Sequence, residues 1–102
     1  MKNKVKALNL LGLAMRARQV ILGEELILKA LRTSENALLL LATDCGNNIK
    51  KKVHNKANTY QAHLIEEFTT DELSRALGKN NRKLVLVTDK GFIEKFLEYM
   101  NS

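Results

Sequence analysis

The chain has 102 residues and carries 17 Lys and Arg against 11 Asp and Glu, a net charge of +6. Its single cysteine, Cys45, excludes an internal disulfide and a zinc site built on cysteine pairs, and suits a reducing cytoplasm. No run approaches the roughly 18 apolar residues of a membrane-spanning helix. The charge favours an acidic partner, nucleic acid first and an anionic membrane surface second, although a basic protein with no polyanion partner would carry the same charge.

Lys2 to Ala17 is predicted as the first helix. Leu8, Leu11 and Met15 share one side, and Leu10, Leu13 and Ala17 cover another, which predicts a well-buried helix. Its basic start, Met1 to Lys6, is followed by apolar residues that Asn9 and Gly12 interrupt. Arg16 and Arg18 close them off without a small-residue cleavage site, so the segment reads as a mature helix rather than a signal peptide. Val20-Ile21-Leu22 is a very short strand, and Gly23 bends the chain after it, a place where positive φ is often needed. The second helix runs from about Glu24 to Arg32, with Leu26, Ile27, Ala30 and Leu31 on its core side. Glu24 and Glu25 complement its dipole. Lys29, about a turn further on, leans back toward the glycine.

Leu38 to Ala42 is a continuous apolar run of the length of a central strand covered on both faces. A turn, Thr43 to Asn47, leads to a third helix with Ile49, Val53 and Ala57 facing inward and Lys50, Lys51, Lys52, His54 and Lys56 around the rest. Ala62 to Ile65 is a short strand. Thr69 with Glu72 is a capping-box signature, and Gly78 ends the fourth helix. Lys79-Asn80-Asn81-Arg82-Lys83 is a basic loop and Leu84 to Val87 a second buried strand. Asp89 caps a fifth helix built on Phe92, Ile93, Phe96, Leu97 and Met100. The order α-β-α-β-α-β-α-β-α predicts an α/β fold. It is a single domain, residues 1–102, folded as a three-layer α/β/α sandwich around a four-stranded mixed sheet.

Two loops are candidate binding elements: the turn Gly23, Glu24, Glu25 with Lys29, and the loop Lys79 to Lys83. Each is also explained as an ordinary connection. If they are neighbours, one edge carries Lys29, Lys79, Arg82 and Lys83 around a glycine turn. Asn80 and Asn81 are then available to base edges or riboses, and the cations to phosphates. Lys50-Lys51-Lys52 reads first as a solvated face that at most supplies long-range steering. His54 and His63 lack metal-ligand spacing, and Cys45 has no paired base, so no metal site and no nucleophile are expected. Asp44 and Asp89 both follow strands, as in a phosphoacceptor receiver, but the acidic pair after a first strand is missing. No Walker or dinucleotide glycine pattern exists, and no catalytic constellation assembles.

Leu11-Gly12-Leu13-Ala14 with Arg16-Ala17-Arg18, then Gly23-Glu24-Glu25 with Lys29, resembles the bacterial YlxQ-like branch of the kink-turn-binding ribosomal protein family of L-seven-Ae type. The resemblance covers nearly the whole chain and continues through Leu38 to Asp44 and Leu73 to Lys79, with Ser74 for the family's glycine and Arg75 for its lysine. It implies a three-layer sandwich and a non-catalytic RNA-binding protein without cofactor. The implied partner is structured RNA: a kink-turn, in ribosomal RNA or a messenger leader, with no membrane. In the family the first turn reads Gly-Thr-Asn-Glu-x-x-Lys, and its polar residues touch tandem sheared G·A pairs. Gly23 and Lys29 keep that pattern. Glu25 stands at the asparagine position and Leu26 at the glutamate position, so one residue that both donates and accepts becomes an acceptor only, and one acceptor is lost. The second implied contact is Lys79 to Lys83. Arg16, Arg18 and Arg75 are possible secondary basic contacts. A protein–protein adaptor on the same fold, using Leu26 as an apolar contact, is the alternative.

Overall fold

The run Leu38–Ala42 forms β2, and all five of its residues are buried. A computed structural model describes residues 2–101; Met1 and Ser102, the ends of the expected 1–102 domain, lie outside the described residues. The other strands are β1 (Val20–Leu22), β3 (His63–Phe68) and β4 (Leu84–Val87). The helices are α1 (Lys4–Arg16), α2 (Glu24–Leu31), α3 (Asn47–Thr59), α4 (Thr70–Leu77) and α5 (Lys90–Asn101).

The sheet order is β1-β4-β2-β3. β4 runs antiparallel to both its neighbours, with Leu22 opposite Val85 and Leu41 opposite Leu84. β3 runs parallel to β2. The sheet is therefore mixed, as expected. α1 packs on α4 and α5, whereas α2 and α3 pack against the sheet and meet at a Glu24–Lys52 ion pair. Leu38 to Leu41, Val85 and Leu86 fill the centre with Phe68, Phe96, Ile27, Leu73 and Met100. Complete burial of a Leu or Phe side chain stabilises by about 1.5–3 kcal/mol, so this layer dominates cohesion. No helix among the described residues is long and apolar enough to cross a membrane.

Local signals account for most boundaries. Asn3 accepts the Lys6 N–H at the start of α1, and Asp89 accepts the Phe92 N–H at the start of α5. Thr69 and Glu72 form the reciprocal capping box of α4. Each strand is preceded by a non-glycine residue at positive φ: Arg18, Asn36, Gln61 and Asn81.

Three expectations need correction. The third strand is His63–Phe68 rather than Ala62 to Ile65. Leu40 pairs with Ile65 but Ala42 with Phe68, so β3 takes three steps against two of β2. That bulge returns Phe68 to the core and lets Glu66 and Glu67 meet Lys50 and Lys2 at the surface. The first helix is less buried than its composition suggests. Only Ala7, Leu11 and Ala14 are buried, while Val5 is 70% and Leu13 50% exposed. One stripe suffices, because α4 and α5 cover α1 from one side. Leu26, expected on the core side of α2, is 61% exposed; Ile27 and Leu31 hold that helix down.

Gly12 marks the tightest approach of α1 to α4, because a Cβ there would lie 3.2 Å from the Ala76 carbonyl oxygen. Backbone cannot swing aside as a side chain does. Gly12→Val is expected to destabilise the fold by about 1–3 kcal/mol, read by urea denaturation. The neighbouring change Leu13→Gln, on the exposed side, should stay within about 0.5 kcal/mol.

Candidate nucleic-acid interface

Strand direction decides what meets at each end of the sheet. The carboxyl ends of β1, β2 and β3 and the amino end of β4 lie together, because Leu22 sits opposite Val85, Leu41 opposite Leu84 and Ala42 opposite Phe68. Gly23, Asp44, Thr70, Arg82 and Lys83 thus share one edge, and α2, α3 and α4 all start there. Asp89 follows the other end of β4, so the receiver-like grouping with Asp44 does not form.

Two glycines shape this edge. Gly23 (φ 94°, ψ 128°) and Gly46 (φ 94°, ψ 157°) are the N-caps of α2 and α3, and neither helix has a side-chain cap. A Cβ on either would meet nothing within 4 Å, so the requirement is conformational: L residues rarely hold such angles. The first N–H groups of both helices are left without a capping side chain. Glu24 and Glu25 stand in the first turn of α2, and Glu24 Oε1 lies 3.1 Å from Lys52 Nζ.

The loop Lys79 to Lys83 is fixed from beneath. The Arg82 N–H donates to Ser74 Oγ at 2.8 Å, and Ser74 is itself buried. Asn81, at φ 51°, accepts from Lys83 Nζ at 3.3 Å. Gly23 and Glu24 border one hollow with Ile49, Asn81, Arg82 and Lys83. The Nε of Arg82 is buried without a partner, and such a donor costs about 1–3 kcal/mol while unsatisfied. A second hollow adjoins it, sharing Asn81 and Lys83 and adding Asp44, Arg75, Lys79 and Asn80.

The two expected loops are therefore neighbours. Gly23, Glu24, Asn81, Arg82 and Lys83 are brought together, with Lys79, Asn80 and Arg75 beside them. Arg75 pairs with Asp71, four residues earlier, at 3.1 Å, and both side chains are exposed. Glu25 and Lys29 are exposed on α2 outside the lining of either hollow. Arg16 and Arg18 are not brought to this edge. They precede Val20, at the end of β1 that faces Val87 rather than Leu84. The lysine run is exposed, as expected, but Lys50 and His54 contact Glu66 and Lys52 contacts Glu24. Cys45 is buried.

Sequence reading missed three contributors: Gly46, Ser74, and the link from Asp44 to Thr70. Gly46 had a usable signal, since it follows a buried strand and precedes a helix as Gly23 does. The Asp44 link had none, because its partner is 26 residues away.

Compared with known proteins, residues 5–97 match the model of the Ribosomal protein L7Ae/L30e/S12e/Gadd45 family. The chain belongs to this family. It is 40% identical over 96 residues to the RNA-binding protein YlxQ of Enterococcus faecium, covering 94% of this chain and 92% of that one. A solved Bacillus halodurans C protein of unknown function superposes with a TM-score of 0.88 at 38% identity, over 95% of this chain and 98% of that one. The Giardia lamblia 15.5kD RNA binding protein shares the fold, with a TM-score of 0.74 at 14% identity, over 96% and 87% of the two chains. The family accounts for the sandwich; the interface residues stand on the geometry above.

Asp44 Oδ1 accepts both the Thr70 hydroxyl, at 2.7 Å, and the Thr70 N–H, at 2.9 Å. These two bonds hold its carboxyl below the ordinary carboxylate range. Partial burial raises Glu66, but the hydrogen bonds from His54 and Lys50 outweigh it and hold that carboxyl low too. A depressed carboxylate contributes stability above its unfolded pKa, about 4, and loses it as pH falls through the lower folded value. Unfolding by urea at pH 5 and at pH 3 should therefore show an acid-dependent loss that is smaller in Asp44→Asn than in the parent chain.

Proposed function

We propose that this chain is a non-catalytic, cytoplasmic RNA-binding protein that recognises kinked RNA with tandem G·A pairs, in ribosomal RNA or a messenger leader. One observation carries the reading: the glycine turn at Gly23 and the basic loop at Asn81 to Lys83, distant in sequence, line a single hollow, and one of its lining residues, Arg82, has its Nε buried without a partner. The similar E. faecium protein is described as RNA-binding, which supports RNA as the polyanion. Arg82 and Lys83 would neutralise phosphates, while Glu25 and Lys29 would face guanine edges, the carboxylate accepting from imino or amino hydrogens and the ammonium donating to O6 or N7. Binding then stabilises the folded-over RNA against the extended form in proportion to its differential affinity for the two.

The exposed Leu26 favours a second reading, an adaptor that binds protein through this edge. Titration separates the two. A kink-turn RNA is compared with the same RNA carrying Watson–Crick pairs in place of G·A, at two salt concentrations. Preference for the kinked RNA that survives the higher salt is expected; equal, salt-labile binding to both RNAs would favour the adaptor.

Lys29→Ala should lower affinity for the kinked RNA by about 1–3 kcal/mol and leave binding to the straight control almost unchanged. The pair Glu25→Asn with Leu26→Glu, which restores the family pattern, should widen the preference. Equal losses on kinked and straight RNA in Lys29→Ala would remove Gly23 to Lys29 from the site.

A further inference from the structure

The outer face of α3 is unlike the other helix surfaces of the chain. Its exposed positions carry lysines, asparagines and His54, with no acid in the helix. α1 also lacks acids, but its Lys4 and Lys6 lie over the rings of Phe68 and Tyr99. Asparagine is a poor helix former, and four of them in α3 are costly to a helix that needs only solubility. Their amides are donors and acceptors held at the surface.

Acids from two neighbouring elements border this face. On the β3 side, Glu66 takes His54 Nε2 at 2.9 Å and Lys50 Nζ at 3.4 Å. On the α2 side, Glu24 takes Lys52. On this face Asn47, Lys50, Lys51, His54 and Asn55 lie together, with Lys50 and His54 on its Glu66 side. The spacing i, i+3, i+4, i+7, i+8 makes it one continuous stripe, about 12 Å long at 1.5 Å per residue. The stripe starts at the interface edge, because Ile49 in the first turn of α3 also lines the hollow beside Gly23 and Arg82.

We propose that this stripe is a second RNA-binding surface, taking the phosphate backbone of a helical stem that runs on from the kinked segment. The inference rests on the RNA-binding reading above. A duplex carries a charge about every 1.7 Å of its axis, so several phosphates pass within reach of a 12 Å stripe. Lys51 and the ammonium of Lys50 would meet phosphates, and Asn47 and Asn55 would donate to phosphate or ribose oxygens. The stripe reads no sequence; it adds affinity that falls steeply with salt.

The test uses the full chain and one kinked core whose two flanking stems are lengthened in turn by about one helical turn. Affinities are measured over a fourfold range of salt. Lengthening one stem is expected to tighten binding and steepen the salt slope. The double variant Lys50→Ala with Lys51→Ala should erase that gain while leaving the preference for G·A over Watson–Crick pairs intact. For every phosphate the variant no longer neutralises, the log–log slope should fall by about 0.9, roughly a threefold change in affinity across the fourfold salt range. Both positions are exposed, and urea denaturation checks that the variant folds. No gain from either longer stem, or equal losses by the variant on short and long RNAs, would overturn the proposal. A stem-dependent gain that the variant erases, with no G·A preference in the parent chain, would uphold the stripe and remove the kinked-RNA reading. Binding to neither RNA would remove both.

Discussion

The complete burial of β2 sets the layout of everything else. Leu38–Ala42 exposes no side chain, so both faces of the strand must be covered by helices and both edges by other strands. β4 pairs with it antiparallel and β3 parallel, and β1 then adds antiparallel to β4. Three strands therefore end, and one begins, at the same edge. A reversed β4 would leave Arg82 and Lys83 at the far end of the sheet from Gly23. The candidate edge is thus a consequence of strand direction, which is held by the apolar burial of β2 and β4.

Charge is distributed with the same economy. The net +6 does not make a uniformly positive surface, because acids occupy particular cations. Glu67 takes Lys2, Asp71 takes Arg75, Glu24 takes Lys52, and Glu66 meets both Lys50 and the His54 ring. Exposed pairs of this kind contribute only about 0–1 kcal/mol. Their effect is positional: they fix side chains at the margins, while Lys79, Arg82 and Lys83 of the loop and Lys51 of α3 are among the cations outside these ion pairs. On the proposed RNA-binding reading, a phosphate would displace Glu24 from Lys52 at little energetic cost, since that pair is about half exposed on both sides.

Features with local causes were legible in the sequence. β1, β2 and β4 follow from short apolar runs between turn residues, and the start of α4 from Thr69 and Glu72. Gly23 could be placed because a glycine between a strand and two acids has few other uses. Features that depend on a partner were not legible. Leu26 and Ile27 are adjacent and equally apolar, yet only the position of the sheet decides which one is buried. The length of β3 depends on a bulge against β2, and the face of α1 on where α4 and α5 lie. At the interface, the meeting of the two loops could be posed only as a condition, because antiparallel pairing of β4 cannot be read from Leu84 to Val87 alone. Ser74 and Asp44 act through bonds to Arg82 and Thr70 that span loops and helices.

On the proposed RNA-binding reading, the departures from the resembled pattern at Glu25 and Leu26 shift the physical balance of the edge. An asparagine and a glutamate there would direct several donors and acceptors at base edges, whereas this chain offers one acceptor and one apolar side chain. The loop side is strongly basic, with Lys79, Arg82 and Lys83 within five residues, and Arg82 borders the same hollow as Gly23. Ser74 strengthens that arrangement: at the family's glycine position it adds a hydroxyl that fixes the Arg82 backbone, which a glycine could not do. On the RNA-binding reading, weight moves from base contacts on α2 toward backbone contacts around Arg82. Recognition built that way depends on the shape of the RNA, because phosphates are placed by the fold of the strand and carry no sequence themselves. The proposed kinked RNA would suit such a surface, since bending brings to one edge phosphates that a straight duplex keeps apart.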